Sequence, residues 1–175
     1  PIDRAGTSTR ENLITAGILP DRADDILQRI SQQDYRRLQL GNLIERADSS
    51  ARQQYADELE ELNQNGVVLR TEAGDDAYDN YLFASGQSNR VKVTSVLSGS
   101  PAEMIGLQSE DIILTYNDQR IMRWRDIRSA TLQGEIGSYI DIEILQDGSR
   151  MNFSIPIGTL GVQLAGVQLE PQNQP

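Results

Sequence analysis

Residues 139–155 limit what this chain can fold into more than any other segment. In residues 139–145 the apolar Ile140, Ile142 and Ile144 alternate with Asp141 and Glu143. A period of two puts the isoleucines on one face of a strand and the carboxylates on the other. Asp147-Gly148 follows, a pair suited to a two-residue turn in which both residues take positive φ. Met151, Phe153 and Ile155 resume the alternation on a return strand. A lone hairpin is marginal in water, so its apolar face needs further strands or a helix to cover it.

The rest of the second half supplies such elements. Val91, Val93 and Val96 read as a strand. Ser98-Gly99-Ser100-Pro101 turns into a short helix over 102–105, stopped by Gly106. Residues 112–116 form an apolar strand, and Asn117-Asp118 turns it into Arg120-Ile121-Met122. A helix is expected over 125–132, between Trp124 and Gly134. Gly158 to Gly161 make a turn into a last short strand, 162–164. Residues 167–175 are expected to be a disordered tail.

Before Gly86 the rhythm is helical. Residues 1–19, rich in Thr, Gly and Ser, read as a flexible lead-in. Pro20-Asp21 opens a helix, with Asp24 and Asp25 near the positive end of its dipole. Ile26, Leu27, Ile30, Leu38, Leu43 and Ile44 give it an apolar stripe, and Gly41 marks a candidate bend. Asp48-Ser49-Ser50 caps a second helix, which ends at Asn63-Gln64-Asn65-Gly66 and folds back on the first. A third short helix is expected over 75–84. The expected division is a lead-in (1–19), a helical region (20–87), a β-rich domain (88–166) and a tail (167–175).

Composition narrows the chemistry. The 175 residues include no His and no Cys, and the net charge is −10. This excludes Ser-His-Asp and Cys-His catalysis, His- or Cys-ligated metals and disulfides. The acidity argues against nucleic acid as a partner. The first 87 residues carry 16 acids and 9 bases, so most of the negative charge lies in the helical half. No apolar run is long enough to span a membrane. The chain begins at Pro1 without Met, which reads as a piece or processed product. Any signal or membrane anchor would then lie ahead of it.

The stretch VKVTSVLSGSPAEMIGLQSEDIILTYNDQRI, residues 91–121, resembles a bacterial PDZ domain. It has the family's strand, Ser-Pro-Ala helix, Gly-Leu, Asp-Ile-Ile strand and tight turn, in order. The hairpin IDIEILQDGSRMNFSI and then GTLGV follow. At Ser109-Glu110-Asp111 the chain departs from the family, which places Gly before this Asp. The resemblance implies an α+β fold. An N-terminal helical hairpin would join a small, partly open PDZ-like β-barrel or sandwich capped by two helices. It implies a non-catalytic module that binds a peptide C-terminus or extended strand by β-augmentation. Thr159, Leu160, Gly161 and Val162 would be the carboxylate loop, and Val162, Gln163 and Leu164 the pairing strand. Trp124, Arg128 and Thr131 would form the groove's helical wall. The family's carboxylate loop comes early in the domain. Here it comes last, which reads as a circular permutation. The helix has no histidine at its start, so a peptide with an apolar last residue is expected. No cofactor and no metal are expected, and the resemblance places the chain in the periplasm or cell envelope.

Plainer readings stand beside these. Gly158–Gly161 can be a simple turn, and Trp124 a packing anchor. Arg120, Arg123, Arg125 and Arg128 can be a solvated edge paired with Asp118 and Asp126. Alternatively, Arg128 favours acidic residues upstream in a peptide. Asp57, Glu58, Glu60 and Glu61 read as a solvated helix face, and Asp75-Asp76 as a cap rather than a metal pair. Lys92, the only lysine, is expected to face solvent. A second functional reading is a structural, assembly or regulatory portion of a larger envelope complex or protease. Its helices would then pair with a second copy.

Overall fold

The computed structural model describes residues 3–171, with side chains from Ser8 onward. The expectations for residues 1, 2 and 172–175 fall outside these. The chain divides into two compact units, residues 1–81 and 82–175.

The first unit is helical. Helix α1 spans Asp3–Thr15, α2 Pro20–Arg46, α3 Ser49–Asn65, α4 Leu69–Ala73 and α5 Asp75–Ala84. Helix α1 corrects the expectation of a flexible lead-in. Leu13 is fully buried and packs with Ile18, Ala23 and Ile26. Arg10 holds both carboxylate oxygens of Asp24, at 2.6 and 2.9 Å. The helix ends at Gly17, whose φ is +96°. The Ile18 amide donates to the Leu13 carbonyl and the Gly17 amide to that of Ile14, each at 3.0 Å. This double closure is a common helix stop and needs a left-handed residue at Gly17.

Helices α2 and α3 fold back on each other through Asp48, whose Oδ1 accepts the amides of Ser50 and Ala51. Helix α2 runs through Gly41 without interruption, so the candidate bend is not a break. Arg36 grips Glu58 with two hydrogen bonds, of 2.8 and 2.9 Å. Gln33 accepts the Val67 amide and donates to the Val67 carbonyl. Arg29 holds Glu72 at 2.8 and 2.9 Å. Helix α3 has no fully buried side chain, so these polar links and its half-buried apolar residues hold it in place.

The second unit contains β1 (Arg90–Val96), α6 (Pro101–Met104), β2 (Ile112–Tyr116), β3 (Gln119–Arg120), α7 (Trp124–Thr131), β4 (Tyr139–Gln146), β5 (Ser149–Pro156) and β6 (Val162–Val167). All pairings are antiparallel, in the order β5-β4-β2-β1-β6, with β3 on β2. The fold class is therefore α+β, with N-terminal helices followed by an open antiparallel sheet. Ile140, Ile142 and Ile144 face the core as their alternation requires. Asp147 and Gly148 both have positive φ, +49° and +78°. Val91, Val93, Ile113, Tyr116, Ile121, Ile127 and Ile155 complete most of this core.

Glu110 stands where the resemblance calls for Gly, and its φ is +79°. A side chain there costs about 1 kcal/mol. Two bonds hold the turn: the Glu110 amide donates to the Val93 carbonyl, and Lys92 pairs with the Glu110 carboxylate at 2.8 Å. The turn thus holds a left-handed residue that is not glycine. The expected tail is also corrected. Val167 ends β6, and Asn89 makes two hydrogen bonds to the Leu169 backbone.

Arg29 holds the Glu72 carboxyl below its usual range, chiefly by hydrogen bonding. The folded pKa lies below the unfolded one, so the stabilisation is complete above the ordinary carboxylate pKa of about 4.3. It is lost as pH falls through the lower, folded value. Melting of the full chain, followed by helical circular dichroism from pH 6 to pH 2.5, should show this loss. Glu72→Gln should lower stability at pH 6 and flatten the acid limb.

Candidate functional site: the outer edge of strand β6

Strand β6 is the last strand of the chain, and it lies beside β1, the first strand of its unit. Val162 pairs with Val96, Leu164 with Val93 and Gly166 with Val91. No described strand pairs with its other edge. Helix α7 packs beside it. An edge strand flanked by a helix is a groove in which alternate backbone amides and carbonyls face outward.

The loop before β6 is anchored through its carbonyls. The Leu160 carbonyl accepts the Ala102 amide at 3.1 Å, and the Gly161 carbonyl accepts the Leu97 amide at 2.9 Å. There are no cis peptide bonds in the described chain. In a trans peptide the C=O and the following N–H point in opposite directions. The N–H groups of Gly161 and Val162 are therefore directed away from α6 and β1. Among the described residues, no acceptor takes the amides of Thr159, Leu160 or Gly161.

Gly161 has φ +76°, and a Cβ there would overlap the Ser100 side chain. Ser100 is itself fixed as the cap of α6, where its Oγ accepts the Glu103 amide. The Ser-Pro-Ala segment is thus the seat on which the loop rests. Leu160 is a core side chain, 5% exposed, and Val162 packs partly against the same core. Tyr116 is buried beneath the loop, and its hydroxyl accepts the Gly158 amide at 3.4 Å. Burial pushes the Tyr116 hydroxyl pKa up.

The residues named from sequence fall into two sets. Thr159, Leu160, Gly161 and Val162 are contiguous on the loop. Gln163 is exposed and Leu164 half-buried on β6. On α7, Trp124 and Arg128 are exposed and Thr131 is half-buried, while Ile127 and Ala130 face the core. The four arginines do not form one patch along this helix. Arg123 donates to the Gln87 side chain. Arg125 lies over the Trp124 ring, 5.6 Å from its centre. Arg120 lines a different cavity of about 220 Å³, together with Arg90 and Arg150. Asp126 accepts the amides of Met122 and Arg123 and so starts the helix. Sequence reasoning missed Ser88, Met122 and Gly166, which meet at the far end of the groove. An isolated Gly inside a strand was the available signal, since it often marks a close approach by another group.

An unpaired outer edge of β6, a flanking helix and a loop with outward amides are the features by which an extended segment can be added to a sheet. The PDZ domain family pattern matches residues 59–157, and the chain belongs to that family. It is similar to the serine protease Do-like HtrA of Bacillus subtilis, 34% identical over 77 residues, which is 43% of this chain and 17% of that protein. It is also similar to probable periplasmic serine endoproteases that are DegP-like. The one from Chlamydia trachomatis is 28% identical over 85 residues, 45% of this chain and 17% of the relative. The one from Marinomonas is 32% identical over 75 residues, 43% and 16% of the respective chains. The matches therefore span under a fifth of each relative.

Replacing Gly161 tests the geometry of the loop. Gly161→Ala should destabilise the second unit by about 2 kcal/mol, from unfavourable φ and overlap with Ser100. The exposed Gln163→Ala should change stability by less than about 0.5 kcal/mol. Chemical denaturation of the full chain, followed by near-ultraviolet signals of the second unit, compares the two.

Proposed function

We propose that the chain is a non-catalytic interaction module that captures peptide C-termini in the β6–α7 groove. The outward amides of Gly161 and Val162 carry this reading. Successive N–H groups turned to one side form an anion nest, and a terminal carboxylate is the anion that an extended peptide brings. The peptide's last side chain would sit near Val162, above Leu160, and its backbone would pair with Val162, Gln163 and Leu164. Trp124, Arg128 and Thr131 would form the opposite wall. An apolar last residue fits the aliphatic surroundings. With the loop and its strand at the end of the domain, the order is that of a circularly permuted PDZ domain. The relatives' names support a place in the periplasm or envelope.

A second reading is an assembly or regulatory part of a larger envelope protein. Tyr35 and Leu38 on α2 favour it, being 64% and 69% exposed. The first reading makes peptide binding depend on a free carboxylate. In calorimetry with the full chain, a free-acid peptide ending in Val should bind about tenfold or more tightly than its amide. Gly161→Asp should abolish the difference. Equal binding of acid and amide, with an oligomer that survives dilution, would replace the first reading with the second.

A further inference from the structure

We propose that the end of the groove remote from the loop is a selectivity pocket. It takes a large apolar side chain, preferably aromatic, four residues before the C-terminus of a bound peptide. This rests on the peptide reading above and adds a sequence preference to it. The pocket is lined by Gln87, Ser88, Met122, Arg123, Trp124 and Gly166, around a cavity of about 410 Å³.

Its place along the groove follows from strand geometry. Directly opposed residues of neighbouring strands project to the same face. A peptide antiparallel to β6, with its last residue opposite Val162, has its third-last residue opposite Leu164. Its fifth-last residue, four before the end, falls opposite Gly166. Strands rise about 3.3 Å per residue, so this position lies about 13 Å from the carboxylate. Val162 and Leu164 fill their face with side chains, and Gly166 does not. The Ser88 side chain comes within 2.8 Å of where a Gly166 Cβ would stand. Glycine here lets the Ser88 side chain lie against the β6 backbone, in the space that a side chain at 166 would need.

The lining determines what fits. Trp124 is half exposed although it is a large aromatic side chain, and Met122 is fully buried beside it. An indole face and a thioether favour an apolar, especially aromatic, partner. The Arg123–Gln87 hydrogen bond ties the start of α7 to the segment before β1 and holds the pocket's rim.

Trp124 is the chain's one tryptophan, so its fluorescence reports on this pocket directly. The full chain is titrated with three peptides that share an apolar last residue. One has Phe four positions before the end, one has Gly there, and the third is the Phe peptide with a C-terminal amide. The Phe acid should bind about tenfold more tightly than the Gly acid and shift the Trp124 emission. By calorimetry, Trp124→Ala should reduce that preference to about twofold, and Trp124→Phe should restore most of it. Equal binding of the Phe and Gly acids, or a preference that survives Trp124→Ala, would overturn the pocket and leave C-terminal recognition intact. An amide that binds as well as the acid would overturn C-terminal recognition and the pocket with it.

Discussion

The second unit depends on one pairing, that of its first strand with its last. Strand β6 joins the sheet only through β1, from Arg90 opposite Val167 to Val96 opposite Val162. That pairing carries the Gly158–Gly161 loop to the end of the sheet and brings β6 beside α7. It also leaves the other edge of β6 without a partner strand among the described residues. A non-local pairing of this kind comes from the core it closes rather than from local turn chemistry. Val91, Val93, Val162 and Leu164 meet on its inner face.

Backbone direction then does what side-chain chemistry cannot do here. The chain has no His, no Cys and one Lys. Its candidate site is built from peptide groups, and α6 decides which way they point. Ala102 and Leu97 hold the carbonyls on one side, so the next amides face the other. Ser100 occupies the space that a side chain at position 161 would need. The Ser-Pro-Ala segment therefore both caps a helix and orients the loop.

Features with a local cause were legible in the sequence. The alternation at Ile140, Ile142 and Ile144, the Asp147-Gly148 turn, strand β2 and helix α5 follow from neighbours in sequence, and the structure has each of them. Helix α1 was missed although Leu13, Ile18 and Gly17 are a readable stop signal. Its Thr- and Ser-rich start outweighed the buried pair that holds it. The arginines from Arg120 to Arg128 have separate surroundings: Arg120 lines another cavity, Arg123 bonds Gln87 and Arg125 lies over Trp124. The pocket at Gly166 needs Ser88 and Met122 from distant positions, and no local pattern brings these together. Glu110 shows the opposite case: a departure from the family pattern at one residue left the turn intact, held by the Val93 carbonyl and Lys92.

The two units divide the chemistry. The helical one is held by paired charges such as Arg36–Glu58 and Arg29–Glu72, and it carries most of the negative charge. The β-rich one contributes the groove. The most direct measurement is residue-resolved amide hydrogen exchange of the full chain, with and without a saturating peptide that has a free C-terminus. The account predicts slower exchange at Gly161, at Val162 and at the β6 amides that face away from β1, with β4 and β5 unchanged. Protection confined to other elements, or none along β6, would contradict it.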